Sequence, residues 1–147
     1  YDPNFRASHK NEAMKLAPTI IENLEYADIV RGSQDDFQYM YGLQDADKIY
    51  KDKIKFYCPR FICTAGGNSI ALRTNPPLQA VSTIGAGDNF NAGVIYGLLK
   101  YDVRYRDLAN IDEPTWDRII QCGKDFATEV CCSYHNSVST EFAQSYK

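Results

Sequence analysis

A surplus of positive charge is missing from this sequence. Its 147 residues carry 16 Lys and Arg against 19 Asp and Glu, a formal net charge of -3. Without a basic footprint, nucleic acid is a poor candidate partner. Long apolar runs are missing too. None approaches the roughly 20 residues of a membrane span, and the N-terminus lacks the basic-then-apolar pattern of a secretory leader. The expectation is therefore a cytoplasmic protein with no membrane partner. There is no C-x-x-C pair, and the two His residues fall outside any metal-ligand spacing. The five cysteines (Cys58, Cys63, Cys122, Cys131 and Cys132) are odd in number and read as small packing residues in a reducing compartment. Internal repeats and low-complexity segments are absent, and so is an initiator Met. The chain opens at Tyr1-Asp2-Pro3-Asn4, which reads as the end of a strand, so the expectation is one part of a longer protein.

What is present is ordinary globular composition, 44% hydrophobic and 24% charged, enough for one domain with a core. Tyr1 to Arg6 should leave a strand and enter a loop. From Asn11 to Leu24, Met14, Ala17, Ile21 and Leu24 recur at helical spacing, with Pro18 expected to kink or restart that helix. Ala27 to Arg31 reads as a short buried strand closed by Gly32. Ser33 with Asp36 three residues later forms a capping-box variant and predicts a helix from Gln34 to about Tyr41. Ala46 to Lys53 predicts a short surface helix. Phe61 to Thr64 predicts a strand, with Ser69 to Arg73 as its hairpin partner. A helix should open at Gly85-Ala86-Gly87 and run to about Leu99. Asp112-Glu113-Pro114 starts a last long helix, and the tail from Ser133 reads as loop. Strands alternating with helices indicate an α/β architecture.

The most informative stretch is Ser82 to Gly93, built around Gly85-Ala86-Gly87-Asp88. Small residues let the backbone approach a ligand closely. A helix starting there aims several unbonded N–H groups and its positive end at one spot, which suits an anion or phosphoryl oxygens gathering charge. A carboxylate beside an anion site is electrostatically awkward. Taking a proton from an attacking hydroxyl explains it. The competing explanation is that the glycines serve tight helix packing and Asp88 is a first-turn helix acid. A Walker loop would need Lys-Ser/Thr after its glycines, and a dinucleotide fingerprint would need glycine where Phe90 stands.

Four blocks in register carry a family resemblance. Thr83 to Asp88 resembles the D-T-x-G-A-G-D signature of ribokinase-type (PfkB) carbohydrate kinases, and Phe90 to Gly93 continue it. Asp2-Pro3-Asn4-Phe5-Arg6 is similar to the D-x-N-x-R block of the fructokinase-like members. Ala27 to Val30 followed by Ser33 to Asp36 resembles the strand and N-x-x-E motif, in the variant that begins with Ser. Thr64-Ala65-Gly66 is similar to the T-x-G that touches ATP phosphates.

The resemblance implies the C-terminal part of a three-layer α/β/α sandwich, with residues 1–147 forming its ATP-binding and catalytic part. It implies ATP-dependent phosphorylation of a sugar hydroxyl, with a fructose-like hexose favoured by the Asp2 to Arg6 block. Asp88 would be the base, and the backbone of Gly85, Ala86 and Gly87 the anion hole. Thr64, Gly66 and Ser33 would line ATP, and Asn4 and Arg6 would face the substrate. Asp36 would act on Mg²⁺ through water. For Arg6 a structural salt bridge stands as an equal alternative, and for Ser33 and Asp36 a helix cap that could coexist with the role. A kinase of nucleosides or other small alcohols, and a non-catalytic pseudo-kinase, remain open. Ser82 stands where the family has an Asp tied to monovalent cations, which leaves potassium dependence open. In the family the sugar is gripped largely by the N-terminal half and a small β lid. No residue here is assigned to that lid, so a homodimer through it also stays open, and the chain alone is expected to be inactive.

Overall fold

The computed structural model describes residues 1–65 and 82–146. The chain divides into two compact units, Tyr1–Ser69 and Ile70–Lys147. The hairpin partner expected at Ser69 to Arg73 lies outside the described residues.

In the first unit, a 3₁₀ turn at Ala7–Glu12 leads into α1 (Ala13–Glu25). Its buried stripe is Ile20 and Leu24, with Ala13 and Leu16 packed beside them. This corrects the expected face. Met14 is 92% exposed and Ile21 also faces solvent, so the stripe is rotated by about one residue. The window held two overlapping sets of apolar residues at helical spacing, and only one set could face the core. The helix runs through Pro18, whose ring sits on the exposed side and which forfeits the hydrogen bond to the Met14 carbonyl.

Strand β1 (Val30–Ser33) and β2 (Phe61–Thr64) pair in parallel, with Val30 opposite Phe61 and Ser33 opposite Thr64. On the other side of β1, the Tyr1 amine donates to the Ile29 carbonyl at 2.8 Å, and the Tyr1 carbonyl accepts from Arg31 N–H at 2.9 Å. One residue bonded to partners two apart is the parallel-ladder pattern. The strand does not stop at Gly32 as expected. Gly32 lies inside it because the Phe37 ring packs where a Cβ would be, 2.6 Å away.

Helix α2 (Gln34–Tyr41) follows directly, capped by Ser33 and Asp36 as the sequence predicts. Helix α3 (Ala46–Ile49) widens into a π turn at Tyr50–Ile54. The unit's core forms around Leu24, Val30, Phe37, Ile49 and Ile54.

In the second unit, α4 (Ala86–Lys100) packs along α5 (Glu113–Cys131), with a 3₁₀ turn at Tyr105–Asn110 between them. Asp112 caps α5 through Thr115 N–H, and Pro114 sits in the first turn. Phe90, Val94, Ile119, Cys122, Ala127 and Val130 are buried. The tail is not all loop. Ser139 caps a short helix, α6 (Thr140–Ser145), through Phe142 N–H. Phe142 and the following Tyr146 both pack edge-on against Phe126, at 5.3 and 5.4 Å. These aromatic contacts outweigh the polar composition that suggested loop. No helix among the described residues is long and apolar enough to cross a membrane. All five cysteines are free thiols, Cys58 and Cys122 buried and Cys132 exposed.

Candidate active site

Two groups of residues emerge, one in each unit. In the first unit they gather at the carboxyl ends of the parallel strands, where open α/β sheets place their ligands. Ser33 and Thr64 are the last residues of β1 and β2 and lie opposite each other in the ladder. The Ser33 N–H and hydroxyl both donate to Asp36 Oδ2, at 2.6 and 2.7 Å, while Asp36 N–H donates back to Ser33 Oγ at 3.1 Å. Asp36 is only 8% exposed. Both cap bonds fall on Oδ2, so Oδ1 accepts nothing from the described residues. The cap therefore exists, and one carboxylate oxygen remains for other work.

The Asp2 block is organised by its own carboxylate. Asp2 Oδ1 accepts from Asn4 N–H at 3.0 Å, closing a turn in which Asn4 takes the left-handed φ of 44° that Asn tolerates. Asp2 Oδ2 accepts from Arg31 Nη1 at 2.8 Å. Arg31 Nη2 in turn donates to Thr64 Oγ1, also at 2.8 Å. Arg6 is exposed and makes no ion pair among the described residues, only a long 3.4 Å contact from Nε to Asn4 Oδ1. The structural ion pair of this block is Arg31 with Asp2. Sequence reading missed Arg31. Its signal was a cation directly after the buried Val30, inside a short strand.

In the second unit the glycine turn is built as expected. Gly85 is the residue before α4 and has φ 80°, a left-handed value that disfavours any side chain. A Cβ there would also press on Asn136 at 3.3 Å. Ala86 N–H reaches the Thr83 carbonyl at 3.3 Å. Helix geometry gives the N–H groups of Gly87 and Asp88 no partner within the helix. Asp88 is exposed in that same first turn. The helix end and its acid thus share one first turn.

Asn89, Asn136 and Ser82 hold this turn. Asn89 Nδ2 donates to the Gly85 carbonyl and to the Asn136 carbonyl, both at 2.9 Å. Ser82 N–H bonds to the Cys131 carbonyl at 3.3 Å, and Ser82 Oγ accepts from Ile84 N–H at 3.2 Å. Asn89 and Asn136 were not singled out by sequence reading, because nothing local says they will meet. Gly66 lies outside the described residues.

No group of three or more His, Cys, Asp or Glu able to hold a metal ion occurs among the described residues. A lone carboxylate such as Asp36 fits a magnesium ion that keeps much of its water and takes other ligands from phosphates. It would not fit a protein-caged metal.

A family model described as pfkB family carbohydrate kinase matches residues 1–141. No curated protein matches the chain. Among solved structures, the chain is similar to a fructokinase from Vibrio cholerae O395, crystallised in a fructose, ADP and calcium ion bound form. The TM-score is 0.66 at 21% sequence identity, over 92% of this chain and 44% of that one. At that identity the likeness establishes the fold, an α/β architecture of the ribokinase type. The chain spans less than half the length of this neighbour.

Proposed function

The chain belongs to the pfkB family of carbohydrate kinases, and from that premise we propose that it supplies the nucleotide-binding and catalytic part of an enzyme transferring the terminal phosphate of ATP to a sugar hydroxyl. The observation that carries this reading is the turn at Gly85: a left-handed glycine opening a helix whose first-turn amides at Gly87 and Asp88 have no partner within the helix, with Asp88 in that same turn.

Asp88 takes the proton from the attacking hydroxyl as its oxygen bonds to the γ-phosphorus. The bond from that phosphorus to the β–γ bridging oxygen breaks, and ADP leaves with the electron pair. Charge gathering on the phosphoryl oxygens falls to the backbone of Gly85, Ala86 and Gly87 and to the positive end of α4. Thr64 and Ser33 at the strand ends line the nucleotide phosphates, and the family resemblance assigns Gly66 to the same phosphates. Asn4 and Arg6 serve the sugar side. Magnesium, when bound, would neutralise charge on the phosphates, and Asp36 would hold its hydration shell through the oxygen that the helix cap leaves over. The fructokinase neighbour binds ADP, a divalent ion and fructose, which supports this choice of ligands. With the Asp2 to Arg6 block, it favours a fructose-like hexose.

The test is ATP-dependent phosphorylation over a panel of hexoses, pentoses, nucleosides and small polyols, on the chain joined to the remainder of its kinase. Asp88→Asn should lower kcat about 10²–10⁴-fold, the range expected for losing a general base, with ATP affinity kept. Full activity in that variant would reduce Asp88 to a helix-start acid. Turnover of a nucleoside instead of a sugar would move the substrate assignment. ATP binding with no acceptor turned over would favour a pseudo-kinase.

A further inference from the structure

We infer that Arg31 is a positioning residue that sets the direction of the Thr64 hydroxyl and ties it to the Asp2 turn; the inference rests on the kinase reading above. The guanidinium spans two of the sequence blocks. Nη1 donates to Asp2 Oδ2 and Nη2 donates to Thr64 Oγ1, each at 2.8 Å. The Arg31 and Asp2 side chains are 14% and 19% exposed, so the pair is largely shielded from water.

The consequence follows from donor and acceptor chemistry. Guanidinium has five N–H donors and no acceptor. A hydroxyl that receives a bond from it must aim its own proton elsewhere. Thr64 is therefore left with its own O–H to donate elsewhere, polarised by the bound cation, at the carboxyl end of β2. A donor of that kind bonds an anionic phosphoryl oxygen more strongly than the uncharged parts of a nucleotide. Asp2 has a second task at the same time, since its other oxygen accepts from Asn4 N–H at 3.0 Å. One guanidinium thus fixes both Thr64 and the turn that carries Asn4. Lysine could not replace it fully, because an ammonium is a point charge without the planar fork that serves two partners at fixed angles.

The test measures Mg²⁺·ADP and adenosine binding to the chain by calorimetry, with thermal melts to confirm folding. Arg31→Met should weaken ADP about tenfold, a loss expected when one charge-assisted hydrogen bond is misdirected, and leave adenosine affinity unchanged. Arg31→Lys should recover part of the loss. In a Thr64→Val background, which already lacks the hydroxyl, Arg31→Met should cost no further ADP affinity. Equal losses for ADP and adenosine would reduce Arg31 to a structural ion pair and overturn the inference. So would unchanged ADP binding, or losses that add in the double variant. If the unaltered chain binds adenosine but gains nothing from the phosphates of ADP, the kinase reading itself fails, and the inference with it.

Discussion

Asn89 shows what the motif needs from its surroundings. A left-handed turn before a helix holds an anion hole only if its carbonyls are tied back, and the Asn89 amide ties Gly85 to Asn136 at 2.9 Å on each side. Asn89→Ala should loosen the turn that carries Asp88. We expect kcat to fall about tenfold, the equivalent of one lost hydrogen bond to a partly buried carbonyl. Asn89→Asp should do worse, since a carboxylate would face two carbonyl oxygens that now need a donor. Steady-state kinetics of both variants, with melts as a control, checks the ranking; equal activity in all three proteins would remove Asn89 from the site. The helix start at Gly85 was legible in the sequence because its demands are local, small residues and a first-turn acid in four consecutive positions. Asn89 and Arg31 were not, because their partners lie 47 and 33 residues away along the chain.

Among the elements, legibility followed how locally each one is specified. Helix α2 has the predicted bounds because its stop and start signals are chemical, with Ser33 and Asp36 exchanging bonds at one end. The face of α1 was misjudged because periodicity gives a spacing and not a phase. Helix α6 was missed because its hold is tertiary, through Phe142 and Tyr146 on Phe126. The pairing of α4 with α5 is also tertiary, although its small residues were visible. A Cβ added at Gly93 would overlap the Cys122 carbonyl oxygen and come within 2.7 Å of Gly123 Cα. Backbone cannot step aside as a flexible side chain can. Gly93→Ala should therefore destabilise by about 1–3 kcal/mol, the usual cost of overpacking, even though alanine gains about 1 kcal/mol of helix propensity. Ile95→Ala on the exposed side of the same helix should shift stability by less than about 0.5 kcal/mol. Urea denaturation measures both. A stabilised Gly93→Ala would mean that α4 and α5 have room to separate.

At the scale of the whole chain, the order of the four blocks was readable and the completeness of the catalyst was not. Asn4, Ser33, Asp36 and Thr64 belong to the unit Tyr1–Ser69, and Gly85 to Asp88 belong to Ile70–Lys147. Sequence motifs report which groups exist. They do not report what brings the acceptor hydroxyl in line with the γ-phosphate, which is the demanding part of phosphoryl transfer. The candidate groups of this chain are a base, an anion hole, phosphate donors at two strand ends and a metal-side carboxylate, with Asn4 and Arg6 alone assigned to the sugar. A neighbour of the same fold uses more than twice this length. Parallel strands are also normally covered and extended by further chain, whereas β1 here is flanked only by Tyr1 and β2 among the described residues. We therefore predict that the 147-residue chain binds Mg²⁺·ADP but transfers phosphate to sugars at no more than background rate. Adding the remainder of the kinase, in one chain or as a separate fragment, should restore turnover without tightening ADP by more than a few-fold. The missing contribution on this view is acceptor orientation, which appears in kcat and in the sugar KM. Robust turnover by the 147 residues alone would show that the sugar is gripped by groups already in this chain, with Arg6 and Asn4 the first to mutate.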